Sequence, residues 1–260
     1  MTETYQEKVA RFIDFNKEMI VSAVTDNNLK EQGVNAKLLL CSIIDSLAKS
    51  RFPDISGNGK RFRRTIESSA NWKDCDRISL LHLKRAIEVL SNDARFFAGL
   101  SERVDAVVQR NFKTDNQSLP ADVPIEKDLE ENDILEFWPR DAKKSCIKLG
   151  SISWEMLTHK SLFWQYRNSL VHEYRIPGKA IELGVPKSEP FYQHVTQVHG
   201  DGREVGISFT NSWELLYPTG FFQKIAENIL EEVAAYHLLE KTSPFGAYSD
   251  GTFWIPTFNE

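Results

Sequence analysis

Three polar residues stand close together in SLFWQYRNSLVHEYRIPG, residues 161–178, a stretch otherwise dense in aromatic and aliphatic side chains. They are Arg167, Asn168 and His172. Histidine titrates near neutral pH, and arginine stays charged and can bind two phosphate oxygens at once. Asparagine can orient an imidazole or donate a hydrogen bond to a ligand. These residue types suit phosphodiester cleavage without a metal, above all in RNA, whose 2′-hydroxyl is a built-in nucleophile.

Helical spacing would bring the three side chains to one edge of a helix. At about 100° per residue, Asn168 lies about 100° and His172 about 140° around the axis from Arg167. Asn168 and His172 are also four residues apart, so they can touch directly. The side toward the core would be formed by Phe163, Tyr166, Leu170 and Val171. The pattern therefore predicts a polar edge at the border of a buried face.

The same spacing also has a purely structural interpretation. A histidine at the border of a core can simply be held by an internal hydrogen bond. An arginine can pair with a carboxylate such as Asp45 or Glu173. The spacing alone leaves both a catalytic and a structural role open.

The segment RNSLVH, residues 167–172, resembles the signature of the HEPN superfamily, the higher eukaryotes and prokaryotes nucleotide-binding domains. That signature is an arginine, an adjacent polar residue, a few variable residues and then a histidine. The resemblance covers this motif and roughly the helices around it. It implies an α-helical bundle with the motif on a late helix, and a homodimer in which two copies of the motif face each other.

The resemblance also implies an activity, because many members of the superfamily are metal-independent endoribonucleases that need no cofactor. RNA would then be the substrate, His172 the general base or acid, Arg167 the phosphate ligand and Asn168 the residue that positions both. Prokaryotic members commonly act in toxin–antitoxin or antiviral systems, so a cognate antitoxin or regulatory protein is a further expected partner. Other members are inactive, so the alternative is a non-catalytic module that binds a nucleotide, RNA or a protein partner.

Two further residues, one on an earlier predicted helix and one just after the motif, are weaker candidates for substrate binding. Asp45 interrupts the apolar run LLLCSIIDSLAKSR. It pairs with Arg51, reaches toward the motif helix, where it would orient Arg167 or His172, or is simply a surface acid. Tyr174 follows His172 by two residues and either contacts the ligand or packs within the fold.

The stretch SGNGKRFRR, residues 56–64, supplies three more weak candidates, Lys60, Arg61 and Arg64. They either bind an RNA backbone or form a solvated helix face. The glycines do not make a phosphate-binding P-loop, which needs GxxxxGK[ST] after a strand. Here the glycines follow a predicted helix, and Lys60 is followed by arginine rather than serine or threonine.

Composition limits the class of protein. The net charge of −5 argues against a surface coated in basic charge. Three cysteines, far apart, give neither a disulfide framework nor a metal site, so no metal is expected. The start is polar, and the longest apolar runs reach about ten residues where a membrane span needs about 20. We therefore expect a cytoplasmic protein with no membrane partner.

The apolar periodicity predicts a mainly α fold, an up-and-down helical bundle of HEPN type. Predicted helices cover residues 3–25, 35–51, about 60–72, 76–90, 93–112, 153–175 and 219–241. Asn35 and Asp76 are the candidate N-caps of the second and fourth of these helices. A β-hairpin over 189–217, before the last helix, follows from two β-rich runs around HGDGR. Residues 113–142, which include the acidic tract EKDLEENDILE, are expected to form a surface loop or insertion. We expect a single domain over residues 1–260.

Overall fold

The computed structural model describes residues 3–25, 33–89, 97–112, 122–182, 187–200 and 207–248. The chain divides into two compact units, each discontinuous in sequence. The first unit comprises Met1–Trp72, Leu170–Arg175 and Thr219–Glu260, and the second comprises Lys73–Ser169 and Ile176–Pro218. The second unit has an apolar core of its own. The single domain expected over residues 1–260 stays a prediction.

The helices, in chain order, are α1 (Tyr5–Thr25), α2 (Gly33–Arg51), α3 (Asn58–Ser69), α4 (Leu80–Val89), α5 (Ala98–Asn111), α6 (Glu131–Leu135), α7 (His159–Glu173) and α8 (Thr219–Glu240). The strands are β1 (Val123–Pro124), β2 (Phe191–Gly200) and β3 (Ile207–Leu216). Short 3₁₀ turns cover Ile125–Lys127 and Trp154–Leu157. The mainly α prediction is confirmed, and the HEPN likeness of the bundle stays a prediction.

The first unit is a bundle of α1, α2, α3 and α8, in which α2 packs against the other three helices. Each helix buries an apolar stripe at helical spacing, as Leu40, Ile44 and Leu47 do on α2. Gly57 precedes α3 with a φ of +87°, a conformation that glycine adopts without steric cost. Glycine is therefore favoured at this position of the connection between α2 and α3.

The second unit places α4 against α5 over a shared core. The members of that core include Leu83, Phe97, Leu100, Val104 and Trp138. Its sheet is antiparallel throughout, in the order β1–β2–β3. The pairing of β2 with β3, with Phe191 opposite Leu216, confirms the predicted hairpin, although residues 201–206 of its turn lie outside the described residues.

The acidic segment is more ordered than its composition indicates. Residues 113–121 lie outside the described part of the chain, but 122–142 contain β1, a 3₁₀ turn and α6. Ile125, Ile134 and Trp138 are buried there, and so is the carboxylate of Asp128. Residues 122–142 therefore contain more regular structure than the composition predicts, because apolar residues spaced among the acids anchor the segment in a core. That the segment is an insertion stays a prediction.

No helix within the described ranges is both long enough and apolar enough to cross a membrane.

A buried histidine links α2 and α8 within the first unit. His237 is 4% exposed; its Nε2 lies 3.0 Å from Ser50 Oγ and its Nδ1 lies 2.8 Å from Thr242 Oγ1. The one hydroxyl hydrogen of Ser50 is donated to the carbonyl oxygen of Pro244 at 2.7 Å. Nε2 must therefore donate to Ser50, so in the neutral imidazole Nδ1 accepts from Thr242. Burial, and then the charge of Arg51, lower the pKa of His237.

We expect acid to destabilise the first unit through His237. Its folded-state pKa lies below the ordinary value of 6.5, so the unfolded chain binds the proton first as the pH falls. The stabilisation is present above about pH 6.5 and is lost as the pH falls below that value. Thermal unfolding at pH 7.5 and pH 5 should show a larger loss of Tm for wild type than for His237→Gln. Equal losses in the two proteins would contradict this assignment.

Candidate functional site

The helix that carries the Arg–Asn–His motif is held by aromatic contacts on one side. Phe163 and Tyr166 of α7 are buried, with ring centroids 5.0 and 5.2 Å from that of Tyr217. The predicted helix over 153–175 begins later than expected, since residues 154–157 form a 3₁₀ turn and α7 starts at His159. The predicted core side of the helix is confirmed for these two aromatic residues.

Arg167 lies deeper than the border position that its spacing predicts. It is 9% exposed, and its guanidinium carbon is 4.9 Å from the ring centroid of Trp164. Its Nη1 donates a hydrogen bond to Asn168 Oδ1 at 3.2 Å, and Asn168 is half-buried. The long side chain packs beside an aromatic ring and keeps its charged head on a polar partner, as arginine commonly does.

His172 is solvent-exposed, one helical turn after Asn168 on the same continuous helix. Its imidazole makes no hydrogen bond to any residue in the described ranges. Arg167 and Asn168 are assigned to the second unit, and His172 to the first. Solvent exposure therefore increases along the motif on α7, from the buried cation of Arg167 to the exposed imidazole of His172, which is accessible for proton transfer.

Tyr174 lies just beyond the end of α7 in a left-handed conformation, with a φ of +54°. Its hydroxyl donates to Asn35 Oδ1 on α2, while 63% of the residue remains exposed. Such a conformation commonly ends a helix, although glycine or asparagine is the usual residue there. The side chain thus has a packing partner, and a contact with a ligand stays a prediction.

Two of the weaker candidates lie together in the first unit. Asp45 and Arg61 line an opening of about 330 Å³, which we call the Arg61 pocket, together with Lys49, Asn58 and Tyr248. Of the other basic candidates, Lys60 is exposed and does not line this pocket. Arg64 is also exposed and pairs with Glu67 at 3.0 Å. The basic stretch is therefore divided between one residue in a pocket and two on the surface.

Sequence reasoning missed a buried polar network in the second unit, centred on Asp128. Oδ2 of Asp128 accepts from Tyr192 at 2.6 Å and lies 2.7 Å from Nε2 of His159. Its Oδ1 accepts the backbone N–H of Leu80 at 3.0 Å, at the start of α4. Asp128 and His159 have no exposed side-chain surface. Asp76, predicted as the N-cap of this helix, lies four residues before its first residue.

The network has a defined direction of donation. Tyr192 donates its one hydrogen to Asp128, so the Ser79 hydroxyl, 2.7 Å away, must donate to Tyr192. Ser79 can then accept from Nδ1 of His82, also at 2.7 Å. Burial, and then the negative charge of Asp128, raise the pKa of Tyr192 well above its ordinary value. The network satisfies polar groups in a core, where unpaired ones are costly.

Cys41, Cys75 and Cys146, all within the described ranges, form no disulfide bond. Within the described ranges, no group of three or more His, Cys, Asp or Glu side chains is arranged to hold a metal ion.

Compared with known proteins, the chain matches no family model, no curated protein and no solved structure.

Proposed function

We propose that this chain is a metal-independent endoribonuclease of the HEPN type. The observation that carries the proposal is the increase in solvent exposure along α7, from Arg167 through Asn168 to His172. Arg167 donates to Asn168, and the exposed imidazole of His172 follows one turn later, about 6 Å along the axis. A cation, an amide and an accessible acid–base group thus lie within six residues of one helix, with the cation buried and the imidazole exposed.

The chemistry assigns one role to each of the three residues. As general base, His172 takes the proton of the RNA 2′-hydroxyl, and the resulting oxygen attacks the adjacent phosphorus. The bond between phosphorus and the 5′-oxygen breaks, and the leaving 5′-oxygen takes up a proton from water or the one that His172 has accepted. The products are a 2′,3′-cyclic phosphate and a new 5′-hydroxyl. Positive charge near the phosphate stabilises the crowded, more negative transition state, which is the role proposed for Arg167.

The burial of Arg167 gives its charge more reach than a surface cation would have. Water screens the field of an exposed guanidinium strongly, whereas a charge 9% exposed is screened less. Asn168 accepts from Arg167 through Oδ1, which leaves its amide N–H groups to donate to a phosphate oxygen or to the imidazole. We thus propose that Asn168, itself held by Arg167, orients the phosphate or the imidazole of His172 through its N–H groups.

The proposed setting follows from the resemblance of RNSLVH to the HEPN signature. The active form would be a cytoplasmic homodimer in which both copies of the motif contribute to one cleft. Single-stranded or tRNA-like RNA would be the substrate, and a toxin–antitoxin or antiviral system the context. A cognate antitoxin or regulatory protein would hold the activity in check.

We expect His172→Ala to reduce the rate of RNA cleavage by about 10²–10⁴-fold, because the general base is lost. The fold should be retained, since the imidazole is exposed and makes no hydrogen bond to a described residue. The assay incubates RNA with the purified protein in the presence of EDTA. His194→Ala is the matched control, since that imidazole packs against Trp213 in the hairpin. Equal cleavage by wild type, His172→Ala and Arg167→Ala would rule the proposal out.

The depth of Arg167 also favours a second candidate, a non-catalytic module that binds a nucleotide, RNA or a protein. A guanidinium 9% exposed and already bonded to Asn168 fits a structural role as well. This candidate predicts that RNA binds without turnover and that His172→Gln behaves as wild type in binding. A filter-binding measurement run beside the cleavage assay separates the two candidates.

A further inference from the structure

We propose that the Arg61 pocket binds the phosphate group of a nucleotide. Two cations, Lys49 and Arg61, line the pocket, against one carboxylate, that of Asp45. Like charges in a confined opening attract an anion together, and the two cations outnumber the acid that opposes it. The pocket lies wholly within the first unit, so its geometry depends on that unit alone.

Arg61 has donors to offer to a ligand. Its Nη2 donates to the carbonyl oxygen of Ile55 at 2.8 Å, which fixes the side chain in place. Its Nε is buried, and no group in the described ranges accepts a hydrogen bond from it. Because Nε is closed to a ligand, an anion would bind the Nη groups, which carry four of the five N–H donors of a guanidinium. An anion oxygen is the acceptor that a guanidinium prefers. Arg61 is thus positioned by one bond while further donors remain.

The start of α3 adds to the same preference. Asn58, its first residue, lines the pocket, and Gly57 before it supplies no side-chain cap. The first N–H groups of a helix have no partners within the helix, and they carry its partial positive charge. α3 is 12 residues long, so this end has the usual helix polarity. The backbone and the two cations therefore favour the same class of ligand.

The size of the pocket and its aromatic wall favour a mononucleotide over a longer chain. A volume of about 330 Å³ is at the lower end of small-molecule pockets. The ring of Tyr248 forms one wall, and its hydroxyl donates to the carbonyl oxygen of Ser46 at 2.8 Å. Lys49 is exposed, and its Nζ lies 5.7 Å from the ring centroid. A base near the ring and a phosphate near the cations would use both features.

This site is separate from the proposed ribonuclease chemistry, because it uses none of the three motif residues. The two proposals can therefore fail independently. The His172→Ala protein should bind the nucleotide as wild type does, whether or not wild type cleaves RNA.

The test is isothermal titration of the full chain with adenosine 5′-monophosphate, inorganic phosphate and adenosine. We expect the monophosphate to bind most tightly, inorganic phosphate more weakly and adenosine least, with affinity falling as salt rises. A 5′-phosphorylated tetranucleotide and its 5′-hydroxyl counterpart identify the source of the phosphate. Tighter binding of the phosphorylated tetranucleotide than of the mononucleotide would assign the site to an RNA end.

Variants locate the binding. Lys49→Gln and Arg61→Gln should each weaken binding of the monophosphate about tenfold. Arg64→Gln is the matched control on the same helix, and it should leave the affinity unchanged, since Arg64 pairs with Glu67 outside the pocket. Arg61→Gln also removes the hydrogen bond from Arg61 to the carbonyl oxygen of Ile55 and could alter the pocket in that way. Lys49→Gln leaves that bond in place, so it tests the charge alone. Failure of every phosphate-bearing probe to bind, or unchanged affinity in Lys49→Gln, would overturn the proposal.

Discussion

Replacing Asp128 with alanine is expected to lower the free energy of unfolding of the second unit by about 3–5 kcal/mol. The carboxylate accepts from Tyr192 and the N–H of Leu80, and lies 2.7 Å from His159 Nε2. Alanine would leave these buried groups without their acceptor, and a small side chain would not fill the space. A loss of this size is a large fraction of the roughly 5–15 kcal/mol by which folded domains are stable.

Denaturant unfolding followed by tryptophan fluorescence measures this effect, and hydrogen exchange of peptides from residues 73–169 assigns it to the second unit. Asp128→Asn should cost less, because the amide keeps one oxygen acceptor at a similar shape. The control is Asp133→Ala, an exposed acid in the same segment, which should change stability by less than about 0.5 kcal/mol. A small effect for Asp128→Ala would mean that the network contributes little to the fold.

Replacing Arg167 with methionine is expected to reduce RNA cleavage by about 10²–10³-fold, if the proposed ribonuclease chemistry is correct. Methionine keeps much of the buried volume beside Trp164 but removes both the charge and the bond to Asn168. Stability should fall by about 1–2 kcal/mol, since Asn168 Oδ1 loses a charge-assisted partner. The larger change should therefore be in activity rather than in folding.

Two variants define what Arg167 contributes. Arg167→Lys keeps the charge and loses the planar fork, so its activity should lie between that of wild type and methionine. Arg175→Met is the control, since Arg175 is exposed and pairs with Glu173 at 2.5 Å. Cleavage rates and melting temperatures are compared for all four proteins. A folded Arg167→Met protein that cleaves RNA at the wild-type rate would remove Arg167 from the proposed chemistry.

The helices were predictable because their apolar residues repeat at a period that local sequence displays. Leu40, Ile44 and Leu47 are buried as the stripe on α2 predicted, and the hairpin pairing followed from two β-rich runs. The helix starts were less predictable. Asn35 and Asp76 were plausible N-caps, but α2 begins at Gly33 and α4 at Leu80. The cap of α4 is Asp128, 48 residues away, which no local rule could have found.

The candidate site was predictable only in its local part. The order of Arg167, Asn168 and His172 along one helix follows from spacing, but the burial of Arg167 depends on how α7 packs. Asp128 was assigned to a solvated loop because five other acids surround it within residues 126–136. Its partner Tyr192 is 64 residues away in sequence. Charge density describes a segment on average and misses the one acid that points inward.

The interrupted course of the first unit sets an order of assembly during synthesis. Its first three helices are complete by Ser69, but α8, against which all three pack, is translated only after residue 218. The hydroxyl of Ser46 can form its hydrogen bond with Tyr248 only after a further 202 residues have been translated. The second unit, by contrast, is complete once Pro218 has emerged. A nascent chain would therefore present α1–α3 with an open apolar face, a period in which chaperones protect such surfaces.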